Sequence, residues 1–215
     1  MTQRGYAKEF AVAIFEQIKG FSEYGFPESH AASFALLVYA SCWIKHAEPA
    51  AFLAAMLNSQ PLGFYSPSQL VQDAKRHGVE VRPADVMDSD WDCTLEQASE
   101  LAATQPAVRL GLRLVSSLKE AAAQRIIAAR AQAPFTSTED LALRAGLDAG
   151  DLKALASADA LKSLSGHRRQ QVWDASALHA VPPLLKDAPV DEEFLELEAA
   201  AEGEEIVFDF AALGL

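Results

Sequence analysis

Basic side chains concentrate in one stretch of a chain that is acidic overall. The 215 residues carry a formal net charge of −12, yet residues 106–180 hold 10 basic and 7 acidic side chains. Residues 181–215 hold 1 basic and 10 acidic side chains, so much of the acidity lies at one end. Because the local potential governs binding more than the total charge does, the middle stretch predicts a surface for a polyanion.

A second polar feature precedes the most apolar segment of the chain. Ser29 and His30 stand before the segment 31–46, whose residues are apolar almost all round. This pattern predicts a buried helix over about 30–46 with Ser29 as its N-cap. An anion can bind at such a helix start. The alternative is that Ser29 caps the helix and His30 is a buried, hydrogen-bonded core residue.

No metal site or catalytic group is predicted. Asp88, Asp90 and Asp92 alternate, but the central glycine and final glutamate of a calcium loop do not follow them. Cys42 and Cys93 stand apart from one another and predict reduced core thiols, as in a cytoplasmic protein. No secretory signal and no apolar run of membrane-spanning length are visible, so no membrane partner is expected.

The elements that must position these residues are mostly helices. Periodicity and capping residues predict helices over about 6–19, 30–46, 49–58, 67–77, 119–131, 137–144, 149–156 and 167–178. Short extended segments are expected at 79–81, 85–96 and 107–114. Beyond Val181 the chain is rich in Pro and Glu, which predicts a linker that ends in an apolar segment, Glu205–Leu215, without a packing partner.

Three blocks of sequence carry a resemblance to a known family. They are GFSEYGFPESHAASFALLVYASCWIKHAEPAAFLAAMLNSQ, SPSQLVQDAKRHGVEVRPADV and SDWDCTLE. In this order and spacing they resemble the fingers region of the bacterial C-family DNA polymerases, the DNA polymerase III alpha-subunit family. Glu28 stands where replicative members more often carry lysine, and the wording GFYSPSQL is closer to the error-prone branch.

The resemblance implies a mainly α-helical fold with three parts. Residues 1–105 would be the carboxy-terminal part of the polymerase fingers, including a short β element. Residues 106–180 would be a tandem helix–hairpin–helix DNA-binding domain. Residues 181–215 would be an acidic linker toward an oligonucleotide-binding fold.

The resemblance also implies where DNA binds. A helix–hairpin–helix usually contains apolar-x-Gly-apolar-Gly, whose exposed backbone N–H groups bind a phosphate. Here the turn reads Val115-Ser116-Ser117-Leu118-Lys119, with both glycines replaced. Ser and Lys adopt positive φ less readily than Gly, so weaker backbone capture is expected, for which the Lys119 charge can compensate. The implied DNA-binding residues are Arg113, Ser116, Ser117, Lys119, Arg125, Arg168 and Arg169.

The intact polymerase implied by the resemblance would perform error-prone, damage-induced DNA synthesis in DNA repair. Ser29 and His30 would lie near the nucleotide or template. Catalysis would need Mg²⁺ held by palm carboxylates, whose motif is not present, so this chain alone is expected to be inactive. Expected partners are primer–template DNA, dNTP, accessory mutagenesis proteins and a sliding clamp, for which Val181–Leu185 is the candidate segment. The alternatives are a helical protein-interaction module and the replicative paralogue.

Overall fold

The computed structural model describes residues 7–23, 28–99, 104–177 and 196–215, without the side chains of 21–23 and 28–29. The described part is mainly helical, with one small sheet, as the sequence predicts. The chain divides into two compact units, Met1–Ile44 and Lys45–Leu215. Its α-helices are α1 Lys8–Glu23, α2 Glu28–Ala47, α3 Pro49–Asn58, α4 Pro67–Arg76, α5 Glu120–Gln132, α6 Thr138–Ala145, α7 Ala149–Ser157, α8 Lys162–Ser165, α9 Arg168–Ala177 and α10 Glu202–Leu213.

The first unit corrects three expectations. Gly20 lies inside α1 instead of ending it, because one glycine costs a helix only about 1 kcal/mol. Helix α2 begins at Glu28, so Ser29 lies in its first turn and is not its N-cap. The predicted burial of α2 is also wrong: Leu36 and Tyr39 are 73% and 74% exposed. A unit built from α1 and part of α2 has too few elements to cover a helix that is apolar all round.

Helices α3 and α4 have the predicted bounds because their ends are encoded locally. Pro49 and Pro67 lie in the first turns of these helices, where a missing N–H costs nothing. The Ser66 side chain accepts from the Gln69 backbone N–H and the Gln69 side chain accepts in return, forming a capping box. Gly78, with φ of 80°, follows the end of α4.

Three short strands form a sheet whose last strand in the chain lies at its centre. The strands are β1 Val81–Arg82, β2 Thr94–Glu96 and β3 Ala107–Arg109, in the order β1-β3-β2. Strand β1 is parallel to β3 and β2 is antiparallel to it, so that Val81 and Leu95 both pair with Val108. Together with α3 and α4 the sheet encloses one core, in which Leu57 and Val108 are fully buried.

A second core lies among α5–α10. Ile126, Leu141, Leu155 and Leu161 are fully buried in it. Helix α6 begins at the Ser137 cap and α7 at the Asp148 cap, whose side chains accept from the N–H groups of residues 140 and 151. Gly146 ends α6 with φ of 59°. These local signals place the helices where the sequence predicts them.

The expectation that Glu205–Leu215 lacks a packing partner is wrong. Helix α10 covers most of this segment, and its Ala212 and Leu213 join the second core, each less than a tenth exposed. The apolar residues at its end therefore find cover within the same unit. The candidate clamp segment, Val181–Leu185, lies outside the described residues.

Among the described helices none is long and apolar enough to cross a bilayer. Of the two cysteines, Cys93 is buried as predicted, whereas Cys42 is exposed on α2. Burial raises the pKa of the Cys93 thiol, and its sulfur accepts from the Gly111 N–H at 3.3 Å. This thiol is therefore a structural core residue.

Candidate nucleic-acid interface

The turn Val115–Lys119 has the backbone of a helix–hairpin–helix although it lacks glycine. Val115 and Leu118 are buried and anchor the turn. Between them Ser117 has φ of 68°, the left-handed conformation that glycine would adopt most readily. Lys119 is the exposed N-cap of α5 and has an ordinary φ of −86°, so a glycine is not needed there. The turn thus uses the left-handed conformation at residue 117 without a glycine there.

An open groove lies beside this first hairpin. Its volume is about 460 Å³, and its hairpin side is formed by Ser116 and Ser117. Helix α7 contributes Gly150, Lys153 and Ser157. The opposite wall is helix α10, through Phe208, Ala211 and Ala212. Hydroxyl groups and one ammonium group are thereby gathered in one place, and both kinds of group can donate hydrogen bonds to phosphate oxygens.

Lys153 is a candidate binding residue that the sequence does not reveal. It is exposed, and it lies on the face of α7 that carries Gly150 and Ser157. Its spacing to Ser157 identifies a common helix face. However, only the packing of α7 near residues 116–117, which are distant in sequence, brings this face to the hairpin.

The second hairpin, between α7 and α8, is closed to an external anion by the protein itself. Asp159 takes the left-handed position, with φ of 57°. The Gln171 side chain accepts from the Leu161 N–H at 3.1 Å and donates to Asp159 at 2.6 Å. At the start of α8, Asp85 accepts from both the N–H and the hydroxyl of Ser163. A protein carboxylate thus occupies the position that a phosphate would need.

Most of the arginines implied as DNA ligands bind other parts of the chain. Arg113 pairs with Asp92 at 2.6 Å. Arg125 donates to the Ala145 and Gly146 carbonyl oxygens at 2.7 and 3.1 Å, which ties α5 to the turn before α7. These contacts leave Lys119 and Lys153 as the lysines nearest the first hairpin for which no ion pair is found among the described residues.

Arg168 and Arg169 both face helix α10. Arg168 is only 4% exposed, pairs with Glu205 at 2.8 Å and also contacts Asp209. Arg169 is half-exposed and pairs with Glu204 at 2.7 Å. The two arginines are thus brought together on one element, but their acceptors are carboxylates of this chain.

The alternating aspartates, Asp88, Asp90 and Asp92, also form ion pairs within the chain. Within the described residues, no group of three or more histidine, cysteine or acidic side chains has an arrangement that holds a metal ion. The three aspartates instead face one arginine each, in the pairs Asp88–Arg109, Asp90–Arg130 and Asp92–Arg113. Arg109, followed by Arg82, holds the pKa of Glu96 below its ordinary range.

The Ser29–His30 pair lies in the other compact unit. His30 is exposed, and its ring centroid is 4.4 Å from that of Phe34. The side chain of Ser29 is outside the described set. The alternative of a buried core His30 is therefore wrong, while its role near a nucleotide or template stays a prediction.

Comparison with known proteins identifies a helix-hairpin-helix motif and relatives of the chain. The family model of the helix-hairpin-helix motif matches residues 78–171, which include both hairpins. The error-prone DNA polymerases of Aromatoleum aromaticum, Burkholderia pseudomallei and Alkalilimnicola ehrlichii are 57%, 56% and 52% identical to the chain. Each match covers 100% of the chain but only 20% or 21% of the polymerase.

The predicted resemblance to error-prone polymerases is thereby confirmed. The identity extends over the first unit as well as over the hairpins, so it does not depend on the motif alone. The chain is similar over its full length to a segment of the error-prone DNA polymerases that spans about one fifth of their length, and its residues 78–171 match the helix-hairpin-helix motif.

Proposed function

We propose that this chain is the part of an error-prone DNA polymerase that binds the phosphate backbone of primer–template DNA through its first hairpin. The observation that carries the proposal is the left-handed Ser117 beside a groove that also contains Ser116 and Lys153. Phosphate contacts of this kind fix the position of a duplex without reading its sequence. The second hairpin, closed by Asp85 and Gln171, stabilises the fold instead.

In the longer polymerase this segment would hold the template while synthesis passes damaged bases, as part of DNA repair in the cytoplasm. The names of the relatives support polymerase activity and an error-prone character. Nucleotidyl transfer needs carboxylates that hold metal ions. We therefore expect the chain alone to extend no primer. Binding of Mg²⁺, dNTP, a sliding clamp and accessory proteins is proposed for the intact enzyme only.

The direct test is the affinity of the chain for a fluorescent primer–template duplex, measured by anisotropy between 50 and 200 mM salt. Lys119→Glu and Lys153→Glu should each weaken binding roughly tenfold, because each replaces an attraction to phosphate by a repulsion. Lys75→Glu, which makes the same charge change at the end of α4, is the matched control and should have little effect.

Equal losses in all three variants would indicate a general charge effect and contradict a site at the hairpin. Binding that does not fall with salt would contradict phosphate contacts altogether. If the chain bound a protein partner independently of salt and had no affinity for DNA, the helical interaction module would be the better description.

A further inference from the structure

Helix α10 binds to the same surface that the proposed function assigns to DNA. Its acidic side chains are Glu202, Glu204, Glu205 and Asp209, and it carries no basic residue. Its amino-terminal half is held by Arg168 and Arg169. The ring of Phe208 lies under the Arg168 guanidinium, with 5.7 Å from the guanidinium carbon to the ring centroid.

The carboxyl end of α10 reaches the first hairpin itself. The Ser116 backbone N–H donates to the Ala212 carbonyl oxygen at 2.8 Å. Ala211 and Ala212 form the wall of the groove opposite Ser117 and Lys153. One amide of the hairpin is therefore already bonded, and access to the groove is narrowed from one side.

Docked α10 and bound DNA compete for the Ser116 N–H, and they also oppose each other in charge. A duplex that entered the groove would bring phosphates toward the helix that carries these four carboxylates, and like charges repel. The same duplex would gain two arginines if α10 moved away, because their present acceptors are carboxylates of that helix. Carboxylate and phosphate compete for the same guanidinium donors.

We propose that α10 is an intramolecular gate, an acidic helix that occupies the hairpin surface until DNA displaces it. This inference rests on the proposed function of the first hairpin. The gate lowers the apparent affinity for DNA by the fraction of molecules in which the surface is open. Weakening the contacts of α10 should raise that fraction. A helix that stayed docked would gain affinity only from the lost repulsion of its carboxylates, without faster amide exchange in α10 when DNA is added.

The variant for this test is Glu204→Gln with Asp209→Asn, which removes two contacts of α10 and leaves Glu205 paired with Arg168. We expect the full chain to bind primer–template DNA roughly three- to tenfold more tightly. The matched control is Glu48→Gln with Glu139→Gln, which removes two exposed acidic charges, one at the N-cap of α3 and one in the first turn of α6. It should change affinity by less than twofold.

Hydrogen exchange on the unmodified chain gives an independent measurement that needs no variant. Adding DNA should speed amide exchange over residues 208–213 of α10 and slow it over residues 116–121 of the hairpin. Exchange at α10 that stays the same or slows, together with unchanged affinity of the double variant, would overturn the gate.

The two proposals fail in different ways. If Lys119→Glu weakens DNA binding but α10 stays protected, the hairpin function stands and the gate is wrong. If the double variant binds DNA and the unmodified chain does not, the gate is supported. If neither binds DNA, the proposed function is wrong, and the gate is rejected with it.

Discussion

The hydroxyl of Ser163 donates to a carboxylate oxygen of Asp85 at 2.7 Å, across 78 residues of sequence. The same oxygen accepts from the Ser163 backbone N–H at 3.2 Å, and the other one accepts from the Met87 N–H at 2.8 Å. Asp85 is only 6% exposed. One side chain thus fixes the turn after β1 and the start of α8 to each other.

Replacing Asp85 by alanine should lower the free energy of unfolding by about 3 kcal/mol, since it removes a buried carboxylate that accepts three hydrogen bonds from Ser163 and Met87. Urea unfolding followed by circular dichroism measures the loss. Asp88→Ala is the matched control: its carboxylate is half-exposed and 3.6 Å from Arg109, so about 1 kcal/mol or less is expected. Similar losses in both variants would contradict the role of Asp85.

Gly111 allows two backbone segments to approach closely. A Cβ added there would lie 2.4 Å from the Trp91 carbonyl oxygen and from the Asp92 carbonyl carbon. Backbone atoms cannot rotate away, so Gly111→Ala should cost about 3 kcal/mol of stability. Gly63→Ala, with no atom within 4 Å of its added Cβ, should cost far less. A thermal melt of the two variants side by side tests this, and equal melting temperatures would contradict the close approach.

Glu80, which directly precedes β1, should make the free energy of unfolding depend on pH in the acid range. The Ser99 backbone N–H and hydroxyl, and then Arg82, lower the pKa of Glu80 from its ordinary 4.5 to about 2. A group whose pKa is lower in the folded state stabilises the fold above its unfolded pKa. This stabilisation is lost as the pH falls through the folded value. The loss attributable to Glu80 therefore lies between about pH 4.5 and pH 2.

Glu80→Gln tests this dependence. The difference in urea midpoint between the unmodified chain and Glu80→Gln should be largest above about pH 5 and should shrink toward pH 2. A carbon-13 titration of the Glu80 carboxyl should give a midpoint near 2. A constant difference for Glu80→Gln would disprove the assignment.

The conformation of the first hairpin predicts opposite effects for two neighbouring serines. Ser117 has positive φ, which costs an L-residue about 1 kcal/mol or more, so Ser117→Gly should stabilise the chain by about 0.5 kcal/mol after the entropy of glycine is subtracted. Ser116 is not among the residues with positive φ, and Ser116→Gly should destabilise by a similar amount. Melting temperatures of the two variants measure the sign, and the same sign in both would contradict the left-handed Ser117.

Elements whose ends are encoded within a few residues could be predicted from the sequence. The start of α4 at the Ser66 cap and the start of α7 at the Asp148 cap are cases in which the accepting side chain and its backbone N–H donor lie three residues apart. The end of α6 at Gly146 is also encoded locally, because this glycine adopts the left-handed conformation that ends the helix. Local hydrogen bonding decides such boundaries, so sequence patterns are sufficient for them.

Features that depend on distant residues could not be predicted in this way. The prediction that α2 is buried is wrong because the burial of a helix depends on which elements are available to cover it, and not only on its own composition. The bond between Asp85 and Ser163, and the approach of Lys153 to the first hairpin, join residues that are far apart in the chain. The docking of α10 is of the same kind, since its arginine partners lie more than 30 residues earlier.

The strand order β1-β3-β2 has a consequence for folding during synthesis. Strand β3 is the last of the three to be translated, yet both other strands bond to it and not to each other. Neither Val81–Arg82 nor Thr94–Glu96 can make its native sheet hydrogen bonds until Ala107–Arg109 has left the ribosome. The sheet therefore cannot begin to form on the growing chain before β3 emerges.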